Sequence, residues 1–311
     1  GFCAMAICRE FYFPSSDGSS RIHAAEWTPE SGEIIGVLQI AHGVAEYGMR
    51  YAPFAEFMTE HGFVVVANDH LGHGKSIRVP EEQGFFAEKD GWWRVVDDMD
   101  KLHDIMSNEY PELPYVLFGH SMGSFLTRTY LIKHPDKYDG VILSGTGHQS
   151  PALVLGGNAA ASVMAKLNGA MGDGTKLDSL AFGSYLNKIE NPRTKFDWLS
   201  RDTEQVDKYI ADPLCGFVGK IGLYRDMMQG IKFITDKKNI AQMNKEKPVY
   251  FMSGDGDPVG DYGKGVERAP HLRKSLVKAD DFELAFQHDG EIGGQFVRVE
   301  ACNRDRTAVS Q

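Results

Sequence analysis

Short, almost wholly apolar runs recur along the chain, and turn chemistry closes each of them. Ile34–Ala41 ends at His42-Gly43, Phe63–Ala67 at Asn68-Asp69-His70, and Tyr115–Phe118 at Gly119. Gly140–Leu143 ends at Ser144-Gly145, and Val249–Met252 at Ser253-Gly254-Asp255-Gly256-Asp257. Phe282–Phe286 ends at Gln287-His288-Asp289-Gly290. Such runs predict strands buried on both faces, the habit of parallel sheets. Arg9–Pro14 and Arg21–Trp27, around Ser15-Ser16-Asp17-Gly18, predict a β-hairpin. Helical periodicity fills the gaps. Met49–Glu60 gathers Tyr51, Phe54, Ala55 and Met58 on one side; Trp92–Tyr110 gathers Val95, Met99, Leu102 and Met106; Met122–His134 continues with Leu126, Tyr130 and Leu131. Strand alternating with helix predicts an α/β fold with a mostly parallel sheet and right-handed crossovers.

The alternation breaks between about Thr146 and Lys245. Pro151–Ala165 is apolar and rich in small residues, Ser179–Asn187 and Asp202–Ile210 read as helical or irregular, and Ile221–Asp236 reads as a helix. A helical insertion of this size between two sheet strands predicts a cap. The expected organisation is therefore a core from 9–145, a cap or lid over 146–245, and the second part of the core over 246–311.

Composition narrows the class of partner. The 311 residues carry 33 Lys+Arg against 43 Asp+Glu, a net charge of −10, with 42% apolar residues. That apolar content supports a folded chain, and the acidic balance argues against nucleic acid as the main partner. Cys3, Cys8, Cys215 and Cys302 match neither a zinc pattern nor a C-x-x-C pair, and read as free thiols in a reducing, cytoplasmic setting. The apolar stretch Gly1–Ile7 lacks the basic start and cleavage site of a signal peptide and reads as an extension. No apolar run is long enough to span a membrane.

Gly119-His120-Ser121-Met122-Gly123 is a G-x-S-x-G pentapeptide. Alone it is weak, but it follows an apolar strand directly and opens a helix, the setting in which such a serine becomes a nucleophile. Glycines on either side permit close backbone approach, and the helix N-terminus aims N–H groups at developing negative charge. A serine hydroxyl needs a base, and the base needs a carboxylate. The chain order for this elbow is serine, acid, histidine. Asp257 and His288 follow Ser121 in that order, each just past a predicted strand end, where ligands meet parallel sheets. Asp255 is the rival acid, with a turn role as its other reading. Among the 11 histidines, His42 and His120 fall beside the elbow as loop-shaping residues. His70 and His73 read as loop residues more readily than as metal ligands, because a metal needs three or four converging donors. Acyl transfer also needs two donors for the oxyanion. The Met122 N–H is the first, and the Val44 N–H, freed by the turn at Gly43, is the second.

With these residues placed, the chain resembles the monoacylglycerol lipase and lysophospholipase branch of the serine α/β-hydrolases. The matching segments are His42-Gly43-Val44-Ala45-Glu46-Tyr47, Arg50-Tyr51 with Phe54-Ala55, Asn68 through Ser76, the Gly119–Gly123 elbow, and Ser253 through Gly260. They run in order from about Arg9 to Leu284. The cap segments Arg193–Leu199 and Asp212–Phe217 are similar to bacterial members, particularly those of gut anaerobes. The resemblance implies an eight-stranded, mostly parallel sheet under a helical cap and ester hydrolysis through an acyl-enzyme. It carries over Ser121 as nucleophile, Asp257 as acid, and the Val44 and Met122 N–H groups as oxyanion donors. The tail departs from the family pattern: the turn after the last strand is not the usual one, and Phe296–Gln311 is a poor amphipathic helix. An altered reading frame or a truncation would produce such a tail. His288 keeps a workable spacing from Asp257, and a displaced base stays open beside it.

The cap decides the substrate. Leu153, Leu155, Met164, Leu214 and Phe217 offer an apolar, adaptable lining suited to short or medium acyl chains, or else bury a helix face on the core. Glu46 and Arg50 read as a structural pair before a leaving-group contact. The leading expectation is a carboxylic ester hydrolase acting on monoacylglycerol-like or other small esters, with no metal or cofactor and with transient lipid contact through the cap. Serine at position 121 argues against epoxide hydrolases and dehalogenases, which need aspartate there. A peptidase, an acyltransferase, and an acyl-binding protein that kept Ser121 but lost its base remain alternatives.

Overall fold

The apolar runs pair edge to edge into one eight-stranded sheet. A computed structural model of the chain describes residues 6–254, 257–262 and 296–298. The strands are β1 (Ile7–Pro14), β2 (Arg21–Thr28), β3 (Gly36–Ala41), β4 (Phe63–Asn68), β5 (Tyr115–His120), β6 (Gly140–Ser144), β7 (Val249–Gly254) and β8 (Phe296–Arg298). Their order across the sheet is β1-β2-β4-β3-β5-β6-β7-β8. The four central pairings, β4–β3, β3–β5, β5–β6 and β6–β7, are parallel. The hairpin β1–β2, its contact with β4, and β8 against β7 are antiparallel. The expected strand Phe282–Phe286 and His288 after it lie outside the described residues, as does Asp255.

Strand alternation sorts the core into two faces. Val37, Val64, Val66, Tyr115, Leu117, Val141 and Leu143 join one apolar cluster; Leu38, Ile40, Val65, Val116, Phe118 and Ile142 join the other. Neighbours along each strand go to opposite faces, as a pleated strand requires. On the first face lie α2 (Gly91–Glu109), α3 (Met122–Lys133) and α7 (Ile221–Thr235). On the second lies α1 (Ala52–Glu60), which buries Ala55 and Met58. The expected single helix from Met49 is divided: Gly48–Tyr51 is one 3₁₀ turn, and the α-helix restarts at Ala52 with Pro53 in its first turn. Proline is tolerated there because that N–H has no intrahelical partner.

Between β6 and β7 the chain forms α4 (Pro151–Asn168), α5 (Thr175–Phe182), α6 (Thr203–Ala211), α7 and the short α8 (Lys237–Ile240). The Ser150 hydroxyl caps α4, accepting from the Leu153 N–H, and Asp202 caps α6. The expected helical stretch at Ser179–Asn187 starts earlier and stops at Phe182. Beyond it, Phe182, Tyr185 and Trp198 hold the irregular chain through ring contacts of 4.8–6.2 Å between centroids. α4 buries Val154 and Ala161. A Cβ on its Gly157 would lie 2.7 Å from the Met228 side chain of α7, so the two helices meet closely there.

Candidate active site

The parallel strands end level with one another, and their following loops converge. Ala41 pairs with Gly119, His120 with Ser144, and Ser144 with Met252. Ser121 sits between β5 and α3 with φ 51° and ψ −120°. An L-residue held there costs roughly 1–3 kcal/mol, which the surrounding packing must sustain. Ser121 donates its N–H to the Ser144 carbonyl at 2.9 Å. Its own carbonyl accepts from the Ser124 N–H at 2.8 Å and the Ser124 hydroxyl at 2.6 Å. A Cβ on Gly119 would meet Thr127 Oγ1 at 2.4 Å, and one on Gly123 would meet the Ala41 carbonyl at 2.0 Å. These glycines let α3 begin directly against the end of β3. Ser121 itself is half-buried.

The loop after β3 folds onto this serine. A Cβ on Gly43 would lie 3.3 Å from Ser121 Cβ, so the two residues are in contact. The Gly43 N–H donates to Glu46 Oε1 at 2.5 Å, and Ala45 takes a left-handed φ of 55°. Val44 is half-buried and packs against the first core cluster, whereas Met122 is buried as the first residue of α3. Glu46 is buried, and it also accepts from Arg50 and from the Tyr51 hydroxyl at 2.9 Å. Burial works against its charge. The Arg50 guanidinium leads the contacts that nevertheless hold this carboxyl below its ordinary value. Glu46 and Arg50 thus form the expected structural pair.

Asp257 stands beyond β7. Its Oδ1 accepts from the Val259 N–H and its backbone carbonyl from the Tyr262 N–H, each at 2.9 Å. Asp257 Oδ2 and His120 Cε1 lie 3.4 and 3.3 Å from the point a Cβ on Gly145 would occupy. This glycine, at the end of β6, keeps the Asp257 loop and the elbow close together. Burial pushes the Asp257 carboxyl up from its ordinary value, while the Val259 N–H and the His120 ring pull the other way. His120 Nδ1 is 3.1 Å from the Ser144 hydroxyl. Ser121, the Gly43 loop and Asp257 are therefore drawn to one edge of the sheet.

The histidines behind the loop are internally bonded. His42 Nδ1 faces the Gly43 carbonyl at 2.8 Å, while its Nε2 accepts the His70 N–H at 3.0 Å, which assigns a neutral ring protonated at Nδ1. His73 Nδ1 faces the Leu71 carbonyl at 3.0 Å. Burial pushes the ring pKa values of His42, His70 and His73 down, that of His73 to about 3. Among the described residues, Asp100, His103 and Asp104 come close enough to share a cation. Lys137 already supplies one, with its Nζ 2.9 Å from both carboxylates.

The apolar residues expected to line a pocket differ in exposure. Leu153 and Leu155 are 60% and 61% exposed on the outer side of α4. Met164 is half-buried against the core, and Leu214 is half-buried before Cys215. The Phe217 ring lies 5.3 Å from that of His73. Cys8 and Cys215 are unpaired among the described residues. Sequence reasoning missed Tyr209, whose hydroxyl reaches the Ala45 carbonyl at 3.0 Å. The Val206–Tyr209 spacing signals a buried helix face but not what that face touches.

A strained serine elbow at the carboxyl edge of a mostly parallel sheet is the architecture of the α/β-hydrolases. The chain belongs to the Hydrolase_4 family (serine aminopeptidase, S33), which matches residues 32–286. It is 32% identical over 202 residues to the monoacylglycerol lipase of Mycolicibacterium smegmatis, covering 63% of this chain and 62% of that protein. Human monoglyceride lipase is 29% identical over 254 residues, 81% of this chain and 74% of that protein. A thermostable carboxyl esterase from Bacillus coagulans, solved in complex with glycerol, superposes with a TM-score of 0.80 at 31% identity, covering 86% of each chain. The chain thus spans less than two thirds of the mycobacterial relative's own length. Among the described residues, no helix is long and apolar enough to cross a membrane.

Proposed function

We propose that the protein is a serine carboxylic ester hydrolase acting on monoacylglycerol-like or other short- to medium-chain acyl esters. The observation that carries this reading is the left-handed Ser121 in contact with Gly43. Ser121 Oγ attacks the ester carbonyl, and His288 takes its proton. The Val44 and Met122 N–H groups receive the oxyanion. The intermediate collapses, the proton passes to the leaving alcohol, and water releases the acid by the reverse sequence. Asp257 orients the imidazole, and the imidazolium that forms offsets the burial of this carboxylate. The reaction needs no metal or cofactor. Relatives named as monoacylglycerol lipases and a glycerol-bound esterase support the substrate class.

The segment 146–245 serves as the cap. Met164, Leu214 and Phe217 contact the acyl chain, and the outer stripe of α4 touches lipid surfaces. That stripe, Leu155, Ala159, Val163 and Leu167 with Leu153 beside it, is exposed and carries no acidic residue.

The family's peptidase description gives a second reading, in which an acidic group binds a substrate amine. Glu46 is the acid nearest Ser121 on the Gly43 loop, but Gly43, Arg50 and Tyr51 already occupy it. This favours the ester over the aminoacyl substrate. Hydrolysis of nitrophenyl butyrate and of an aminoacyl nitroanilide by wild type, Ser121→Ala and His288→Ala tests the assignment. Ester turnover that falls by about three decades or more in both variants supports it. Unchanged turnover in His288→Ala places the base elsewhere. An inert wild type that still binds fatty acid moves the acyl-binding reading forward.

A further inference from the structure

The loop that faces Ser121 is gripped by residues far away in the chain. The Ala45 carbonyl accepts from the Tyr209 hydroxyl and from the Gly216 N–H, both at 3.0 Å. The Tyr47 hydroxyl donates to Asp212 Oδ2 at 2.7 Å, and the Arg50 guanidinium lies 4.9 Å from the centroid of the Tyr209 ring. The segment 209–216 therefore holds 45–50 at several points. Ala45 is the left-handed, non-glycine residue of that loop, a conformation that persists only where its surroundings impose it. The grip is itself tightly built. Gly216 has φ 66°, and a Cβ there would lie 2.9 Å from the Phe196 ring and 3.1 Å from that of Tyr209. Tyr209 is buried, with its ring 5.2 Å from Phe196, so its hydroxyl has a fixed direction. Burial and the Glu46 charge keep that hydroxyl protonated and a donor.

Resting on the ester-hydrolase reading above, we propose that Tyr209 is a positioning residue for the oxyanion loop. With the Gly216 N–H it pins the Ala45 carbonyl, two peptide planes beyond the Val44 N–H, while His42 Nδ1 holds the Gly43 carbonyl of that N–H's own plane at 2.8 Å; the loop is thus clamped on both sides of Val44, and Tyr209 supplies the far clamp. Seating of α6 and the 212–217 turn then becomes a condition for stabilising the oxyanion, and not merely for enclosing the acyl chain. A misdirected donor weakens the transition state more than the bound ester, so the loss falls on kcat and not on KM.

The test compares Tyr209→Phe with Tyr224→Phe. Phenylalanine at 209 keeps the ring packing and removes one donor. The Tyr224 hydroxyl bonds Asp178 at 2.6 Å within the same insertion and serves as the control for general loosening. Kinetics on nitrophenyl butyrate are paired with hydrogen exchange of the peptide covering 42–48. The expected result for Tyr209→Phe is a kcat lowered about 3- to 10-fold, KM within about twofold, and faster exchange in that peptide. Tyr224→Phe stays at wild-type values in all three. Wild-type kcat and exchange in Tyr209→Phe would overturn the positioning role while leaving the hydrolase reading intact. Equal losses in the two variants would also overturn it, as loosening without direction. An inert wild type would sink the hydrolase reading and the role together.

Discussion

Gly43 and Ser121 meet across the end of the sheet, with only 3.3 Å between the serine Cβ and the place a Cβ on residue 43 would fill. The same added atom would lie 2.8 Å from Glu46 Oε1. Gly43→Ala must therefore push the loop away from both its anchor Glu46 and Ser121. The expected outcome is a kcat lowered about 10- to 100-fold, with a native circular dichroism spectrum. A variant with undiminished kcat would show that the loop does not serve the reaction.

Gly123 answers to folding before chemistry. A Cβ there would come within 2.0 Å of the Ala41 carbonyl, a backbone atom that cannot turn aside. Gly123→Ala is expected to lose about 3 kcal/mol or more of unfolding free energy, or to yield no folded protein. Urea titration of wild type and variant measures the difference.

Acid should loosen the protein through its buried imidazoles. His42, His70 and His73 have ring pKa values depressed by burial, that of His73 to about 3. Unfolded histidine takes up its proton near pH 6.5, so the unfolded chain binds more protons below that point. Their contribution is complete above about pH 6.5 and is lost as pH falls toward the folded values, by up to about 1.4 kcal/mol per pH unit per ring. The carboxyls of Asp98 and Asp226, raised to about 6 by burial, work in the opposite sense between about pH 6 and 4. Among the described residues His73 Nε2 is buried without a partner, which makes His73→Phe the informative substitution. Its unfolding free energy plotted against pH should be shallower than wild type by about one proton between pH 6 and 4. Parallel curves would mean that His73 is not neutral in the folded state.

The proposed lipid contact through α4 predicts a separation of two activities. Leu155 is 61% and Leu167 76% exposed, so charged replacements there should leave folding nearly unchanged. Leu155→Glu with Leu167→Glu is expected to abolish binding to phospholipid vesicles and to slow hydrolysis of a vesicle-borne monoacylglycerol. Turnover of a water-soluble nitrophenyl ester should not move. Retained vesicle binding would transfer the lipid-facing role to another surface.

The sheet and its elbow were legible because buried parallel strands leave long apolar runs that end in glycine or polar turns. Tyr115–His120 and Phe63–Asn68 extend the expected runs by one or two residues at their C-terminal ends, where a histidine or asparagine still pairs in the ladder. The break at Tyr51–Ala52 had a signal in Pro53 that periodicity alone overrode. The insertion was harder to read: Phe182, Tyr185 and Trp198 pack by ring contact, which carries no fixed spacing. β8, three residues long, follows from its pairing with β7 and not from local sequence. Nor could sequence reveal Ala45, since alanine in a left-handed conformation is dictated by distant partners.

The level strand ends have a mechanical meaning. Ala41 against Gly119, and His120 against Ser144, index the Gly43 loop, Ser121 and the Gly145 turn on a single hydrogen-bonded ruler. The ruler has discrete marks: a slip of one residue moves a strand by about 3.3 Å and turns each of its side chains to the opposite face. No intermediate register exists for the paired strands, so small displacements are confined to the loops that follow them. Assembly of the strand framework is consequently digital: a molecule with one strand off register lacks the edge altogether, and graded losses arise only in the loops the framework carries.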